Sequence, residues 1–291
     1  MQLMNIDGNY SMISGLPEIG DKLPAGTYKI IMTKQGFILH TIPNMEIGEQ
    51  KIYGNATELM DRMLEGYQIS NRNMGGILSG KKGAGKTLAI RYLANKAIEN
   101  DIAVVLVDQN YPGIGSFIES IDQKLLVIFD EFEKIFPESK DDGEGESQED
   151  LLTLFDGTSH SKHLYAVSVN EVESLSSYLL GRTGRFHYHL RFEYPKSDDV
   201  RKYLYDNVKK EFASEDQIEK MVAVGKVLNL SYDILRAVVF EMNQGNKVED
   251  FIQYLNIKDE NTGEVRVNVE FLTSNNVKTV RSYRYNFLNK N

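Results

Sequence analysis

Gly80-Lys81-Lys82-Gly83-Ala84-Gly85-Lys86-Thr87 fits the pattern G-x-x-x-x-G-K-[ST] at every fixed position. Glycines at this spacing let the backbone curl until successive N–H groups face one point, and a helix starting there adds its positive end. That is a cradle for phosphate. Lys86 is placed to reach the β- and γ-phosphates of a nucleotide, and the Thr87 hydroxyl to hold Mg²⁺. The expected nucleotide contacts are Gly80, Lys81, Lys82, Gly83, Ala84, Gly85, Lys86, Thr87 and Leu88. Both flanks suit the motif: apolar Gly75-Gly76-Ile77-Leu78-Ser79 reads as a strand, and the text from Leu88 to Ala94 reads as a helix.

A second constellation follows. Leu125-Leu126-Val127-Ile128-Phe129 runs directly into Asp130-Glu131. A wholly apolar run implies a strand buried on both faces, so the two carboxylates emerge at its end, where ligands of open α/β sheets bind. Asp130 is placed to hold Mg²⁺, usually through water, and Glu131 to polarise an attacking water as general base. ATP and Mg²⁺ are the expected ligands, and hydrolysis the expected chemistry. Val167-Ser168-Val169-Asn170 ends a further apolar strand in an amide. In the same sheet it would bring Asn170 beside Asp130, able to orient water or sense the γ-phosphate.

The elements that must position these groups alternate. Residues 104–107, 125–129, 164–169 and 186–192 are β-like, while 86–100, 148–156, 172–180 and 198–211 carry helical patterns. Alternation of this kind implies crossover connections and a largely parallel sheet covered on both faces. Ahead of it, Leu59, Met60, Met63 and Leu64 recur at helical spacing after Asn55, which predicts a helix before the first core strand. Residues 1–50 carry turn signals around β-type runs at 28–33 and 36–42, predicting a small β-rich element. Residues 51–196 make the α/β core and 197–258 a separate helical unit. In 259–291, Val265, Val267, Val269 and Phe271 alternate with polar residues, and a second run follows the turn-like Thr273-Ser274-Asn275-Asn276, predicting a terminal β-hairpin. The acidic stretch 138–150 reads as a solvated loop.

The chain as a whole narrows the choices. Its 291 residues can hold one large or two modest domains. The absence of cysteine excludes disulfides, thiolate metal sites and thiol catalysis. No apolar run approaches the ~18 residues of a membrane span, and the first residues lack the basic start and apolar stretch of a secretory leader, so a cytosolic protein without a membrane partner is expected. A net charge of −9 argues against a monomer that coats nucleic acid. His187 and His189 alternate in a strand-like pattern and read as half-exposed strand residues rather than metal ligands.

Three segments taken together resemble a known family. Leu151-Leu152-Thr153-Leu154-Phe155-Asp156-Gly157, then Val167-Ser168-Val169-Asn170, then Leu179-Leu180-Gly181-Arg182-Thr183-Gly184-Arg185-Phe186 is similar to the second region of homology of the core AAA branch of the AAA+ ATPases. That branch reads L-L-x-x-x-D-G, a strand ending in T-N, and L-x-R-P-G-R-F-D. The last segment also resembles the mitochondrial Bcs-type AAA chaperones. With the phosphate loop and Asp130-Glu131, the similarity covers about residues 75–195. Ser168 stands where the family has threonine or alanine, Thr183 where it has proline and His187 where it has aspartate, and none of these removes a charged catalytic group.

The resemblance implies a P-loop NTPase fold: a three-layer α/β/α AAA+ core with a mostly parallel sheet, then a small helical lid. It implies a homo-oligomeric ring, a hexamer or similar, in which Arg182 and Arg185 act as arginine fingers on ATP held by the neighbouring subunit. An arginine keeps its charge at neutral pH, and its planar fork can neutralise charge developing on the γ-phosphoryl oxygens. Arg236 in the lid resembles the sensor-2 arginine of other AAA+ branches, and Tyr111 in the turn after the second strand could face a central pore. Remodelling of a protein client is the leading function. A DNA- or RNA-processing motor, drawing on Lys81, Lys82, Lys278, Arg281 and Arg284, and a slow nucleotide-gated switch are the alternatives.

Overall fold

Runs of apolar and β-branched residues make the sheet. In the computed structural model the described residues are 2–6, 9–13, 20–48, 51–138, 145–156, 162–180, 185–255, 257, 264–272 and 278–286. Two short strands, β1 (Gln2–Ile6) and β2 (Asn9–Ile13), pair antiparallel. Next come β3 (Thr27–Thr33), β4 (Gly36–Ile42), α1 (Ala56–Ile69), β5 (Met74–Gly80), α2 (Lys86–Glu99), β6 (Ala103–Val107), α3 (Ile114–Glu119), β7 (Leu125–Phe129) and α4 (Phe132–Ile135). The core closes with α5 (Leu152–Asp156), β8 (His163–Val169), α6 (Ser177–Leu180) and β9 (Tyr188–Phe192). Seven of these strands form one sheet in the order β4-β3-β6-β7-β8-β5-β9, parallel throughout except for the β3–β4 pair.

The period of two along a strand sorts its side chains to opposite faces. On β7, Leu125, Val127 and Phe129 join a core with Ile114, Phe132, Phe155 and Leu179, while Leu126 and Ile128 join one with Met63, Tyr67, Ile90 and Leu93. Helices α1 and α2 therefore cover one face, and α3 to α6 the other. Burying each such side chain contributes roughly 1.5–3 kcal/mol, so the centre of the sheet, where the ends of β5, β7 and β8 lie side by side, is the best-anchored part of the fold.

Within residues 1–50, expected to form a small β-rich element, β3 and β4 extend this sheet. Strand β3 pairs parallel with β6 from Thr27↔Val104 to Lys29↔Leu106, and Lys29 reaches Asp108 at the end of β6 across 2.7 Å. Strands β1 and β2 were not foreseen. Helix α1 begins where predicted, although Asn55 makes no side-chain capping bond. The helical pattern of 172–180 resolves into a 3₁₀ turn, Val172–Ser174, and the single turn of α6.

Beyond the sheet, α7 (Ser197–Asn207), α8 (Glu215–Val227), α9 (Tyr232–Met242) and α10 (Val248–Phe251) enclose their own core of Leu204, Met221, Leu235 and Val238. Strands β10 (Glu264–Leu272) and β11 (Lys278–Asn286) pair antiparallel from Glu264↔Asn286 to Leu272↔Lys278. The turn predicted at 273–276 and the middle of the acidic stretch, 139–144, lie outside the described residues. Among the described residues, no helix is long and apolar enough to cross a membrane.

Candidate functional site

The phosphate loop leaves β5 and enters α2 through three glycines with positive φ: Gly80 (144°), Gly83 (74°) and Gly85 (101°). At Gly80 a Cβ would lie 2.0 Å from the Phe192 carbonyl oxygen, so strand β9 passes too close for any side chain. Gly85 stands at the N-cap of α2, and Lys86 and Thr87 begin the helix, where the unpaired N–H groups carry the positive end of its dipole. Ser79, just ahead of the loop, lies with its Oγ 2.8 Å from His189 Nε2, fastening the edge strand to the strand that feeds the loop.

Lys86 is buried, and its ammonium donates to the carbonyls of Gly80 and Lys81 and to Asn170 Oδ1 at 3.2 Å. Burial lowers its pKa, and the charges of Glu133, Asp130 and Glu131 oppose that shift. Asn170 itself donates from its backbone N–H (3.0 Å) and from Nδ2 (2.7 Å) to Glu133 Oε1. So Asn170 is brought to Lys86, as the strand order requires, by a carboxylate that the sequence reading had passed over.

Parallel pairing of Phe129 with Val167 sets Asp130 next to Ser168. The Ser168 hydroxyl donates to Asp130 Oδ1 and accepts the Glu131 N–H at 2.9 Å. Glu131 is one of two described non-glycine residues with positive φ (52°), which turns the chain sharply from β7 into α4. Its carboxylate is half-exposed and ion-paired with Lys134 one turn on, which lowers its pKa. Thr87, Asp130, Glu131 and Asn170 all line one cleft of about 1110 Å³ between the sheet ends and the helical unit. Thr87 and Asp130 give an all-oxygen donor set, a hydroxyl and a carboxylate, as a hard cation such as Mg²⁺ requires.

The cleft also has an aromatic lining. Tyr53, Tyr203 and Tyr232 surround one another with ring centroids 5.1, 6.0 and 5.7 Å apart. Tyr53 Oη bonds Asp206 (3.0 Å) and receives Asn207 Nδ2 (3.0 Å), and Lys51 pairs with Asp206 at 2.7 Å. Burial raises the Tyr53 pKa to about 12, so its phenol stays protonated. Arg236 lines the same cleft, 3.7 Å from Asp233. The helical unit also touches the phosphate loop itself: the Tyr232 N–H donates to the Gly83 carbonyl at 2.9 Å, and a Cβ on Gly83 would meet Asp233 and Ser231 at 2.8 and 2.9 Å.

The two arginines expected as fingers differ. Arg182 lies outside the described residues. Arg185 is only 5% exposed and turns inward, its guanidinium forked onto the Asp156 carboxylate and donating to the Tyr178 carbonyl. In this arrangement Arg185 is bound within its own chain rather than offered to a neighbour. Tyr111 is half-buried, its ring 6.1 Å from Phe37 and its hydroxyl on Gln109, while Glu146 accepts the N–H groups of Gly113 (2.9 Å) and Gly115 (3.2 Å) in the same turn.

A mostly parallel sheet with the phosphate loop after β5, an Asp-Glu pair after β7 and an amide after β8 defines an α/β P-loop nucleotide-binding domain of the AAA+ kind. Residues 76–194 match the family described as ATPase family associated with various cellular activities (AAA), so this segment is an AAA domain. No curated protein matches the chain.

Of the groups gathered here, sequence reasoning missed Glu133, treated Ser168 only as a departure from a pattern, and missed the tyrosine cluster. No local pattern marks Glu133, whose bond to Asn170 depends on the pairing of β7 with β8.

Proposed function

We propose that this chain hydrolyses Mg·ATP, working in a ring of its own copies, and uses the cycle to remodel or thread a protein. The observation that carries the reading is the setting of Lys86. Its buried ammonium is held by two loop carbonyls and Asn170, within the same cleft as Asp130 and Glu131.

In this reading the N–H groups of residues 80–88 surround the phosphates, and Lys86 exchanges the carbonyls of Gly80 and Lys81 for β- and γ-phosphate oxygens. Thr87 and Asp130 would hold Mg²⁺, which when bound neutralises charge on those phosphates. Glu131 leaves Lys134 and accepts a proton from water as the water oxygen bonds to the γ-phosphorus. The bond from that phosphorus to the β–γ bridging oxygen breaks, and ADP and inorganic phosphate leave. The base rests against Tyr53, Tyr203 and Tyr232, where ring contacts contribute about 0.5–1.5 kcal/mol each. The helical unit, touching Gly83 through Tyr232 and reaching the cleft with Arg236, serves as the lid.

Arg182 is assigned the finger role on a neighbour's ATP, a contribution of ~10³–10⁵ in rate for such arginines. Arg185, bonded to Asp156 and Tyr178, is assigned the task of shaping the loop that carries Arg182. A protein client is favoured by the net charge of −9, which disfavours a polyanion.

The test is the Glu131→Gln protein purified with ATP from its native cells, read by native mass and by identification of what stays bound. A ring holding a protein is expected. A ring holding nucleic acid would replace the client assignment, and a bare monomer would overturn the ring.

A further inference from the structure

We propose that Glu133 is a positioning residue for hydrolysis, fixing the Asn170 side chain so that it presents its oxygen to the attacking water. The inference rests on the ATPase reading above. Asn170 gives two hydrogens, from its backbone N–H and from Nδ2, to the single oxygen Oε1 of Glu133, at 3.0 and 2.7 Å. An amide whose NH₂ is held by a carboxylate must turn its carbonyl the other way, and Asn170 Oδ1 does so, accepting from Lys86 Nζ at 3.2 Å. The opposite flip would set oxygen against oxygen on one side and NH₂ against ammonium on the other, so the network admits one orientation.

The second oxygen of Glu133 is buried and finds no hydrogen-bond partner among the described residues. Geometry links Glu133 to the lysine: its Oε1 holds Asn170 Nδ2 at 2.7 Å, and Asn170 Oδ1 receives Lys86 Nζ at 3.2 Å. Lys86, Asn170 and Glu133 thus form one chain from ammonium to amide to carboxylate. When Lys86 is drawn to phosphate, Asn170 Oδ1 is released. Because Glu133 still holds Nδ2, the amide cannot rotate to offer a donor to the γ-phosphate, and its free oxygen accepts a hydrogen from the attacking water.

The experiment is a double-mutant cycle in the full-length chain, with kcat and the KM for ATP measured on wild type, Glu133→Ala, Glu133→Gln, Asn170→Ala and Glu133→Ala/Asn170→Ala. Glu133→Ala should lower kcat about tenfold, the worth of one hydrogen bond to a charged group, and leave KM within about twofold. Glu133→Gln keeps an oxygen for both Asn170 hydrogens and should retain most of kcat. In the Asn170→Ala background, removal of Glu133 should change kcat by less than about twofold, since the two act as one unit. Multiplying effects in the double mutant, or a Glu133→Gln protein as slow as Glu133→Ala, would overturn the inference. If Glu133→Ala does not fold, Glu133→Asp, whose reach is shorter by one methylene, takes its place in the same cycle with the same expectation. A wild-type chain that hydrolyses no ATP would remove the ATPase reading and this inference together, whereas an active wild type with an additive cycle would remove this inference alone.

Discussion

The Ser168 hydroxyl donates to the Asp130 carboxylate while accepting the backbone N–H of Glu131. One small side chain on β8 thereby holds both acids at the end of β7, the first by its carboxylate and the second by its backbone. Glu131 needs such a hold because a non-glycine residue at positive φ costs of order 1–3 kcal/mol unless its surroundings enforce it. Ser168→Ala should lower kcat by about tenfold or more, the loss of a hydrogen bond to a charged group, while ATP affinity without Mg²⁺ stays unchanged. Ser168→Thr, which keeps the hydroxyl, should recover the activity. Phosphate release and fluorescent-nucleotide titration read the two quantities separately.

Arg185 and Arg182 should separate, because Arg185 is bound within its own chain while Arg182 is proposed to act on a neighbour's ATP. Arg185→Ala removes a buried guanidinium that bonds the Asp156 carboxylate and the Tyr178 carbonyl, and should therefore lower thermal stability. Arg182→Ala should leave the melting temperature close to wild type and yet hydrolyse ATP poorly in an assembled ring. Calorimetry alongside an ATPase assay distinguishes them. Equal melting temperatures for both variants would contradict the inward role of Arg185.

Acid should destabilise the core through His163. This residue is fully buried, and burial pushes its pKa from the usual 6.5 down to about 4. Between those values the unfolded chain binds a proton that the folded chain refuses. Stability contributed by the neutral imidazole is thus complete above pH 6.5 and lost as pH falls towards 4, by up to about 3 kcal/mol. Urea unfolding at pH 7.5, 6 and 5 should show a shallower loss in His163→Leu than in wild type.

What was legible in the sequence is what local pattern dictates. The apolar runs of β7 and β8, the phosphate loop and the helix after it follow from residues within one short window, and all were found where predicted. What stayed hidden depends on partners far along the chain. Thr27 of β3 finds Val104 of β6, and that parallel pairing leaves no mark in residues 28–33 that would tell a sheet extension from a free hairpin. Arg185 reads as a second arginine finger until folding brings Asp156 to it. Glu133 sits in the acidic, basic and aromatic text of a surface turn, and only the adjacency of β7 and β8 reveals that it faces Asn170. The tyrosine cluster draws one ring from the approach to α1 and two from the helical unit, so no periodicity could have announced it.

The most direct measurement is of ATP binding and phosphate release together, on wild type, Lys86→Ala and Glu131→Gln at neutral pH with Mg²⁺. Wild type should bind and release phosphate, Lys86→Ala should fail to bind, and Glu131→Gln should bind ATP and hold it unhydrolysed. Wild-type turnover in Glu131→Gln would contradict the assignment of Glu131 as the general base, and unchanged ATP binding by Lys86→Ala would contradict the site itself.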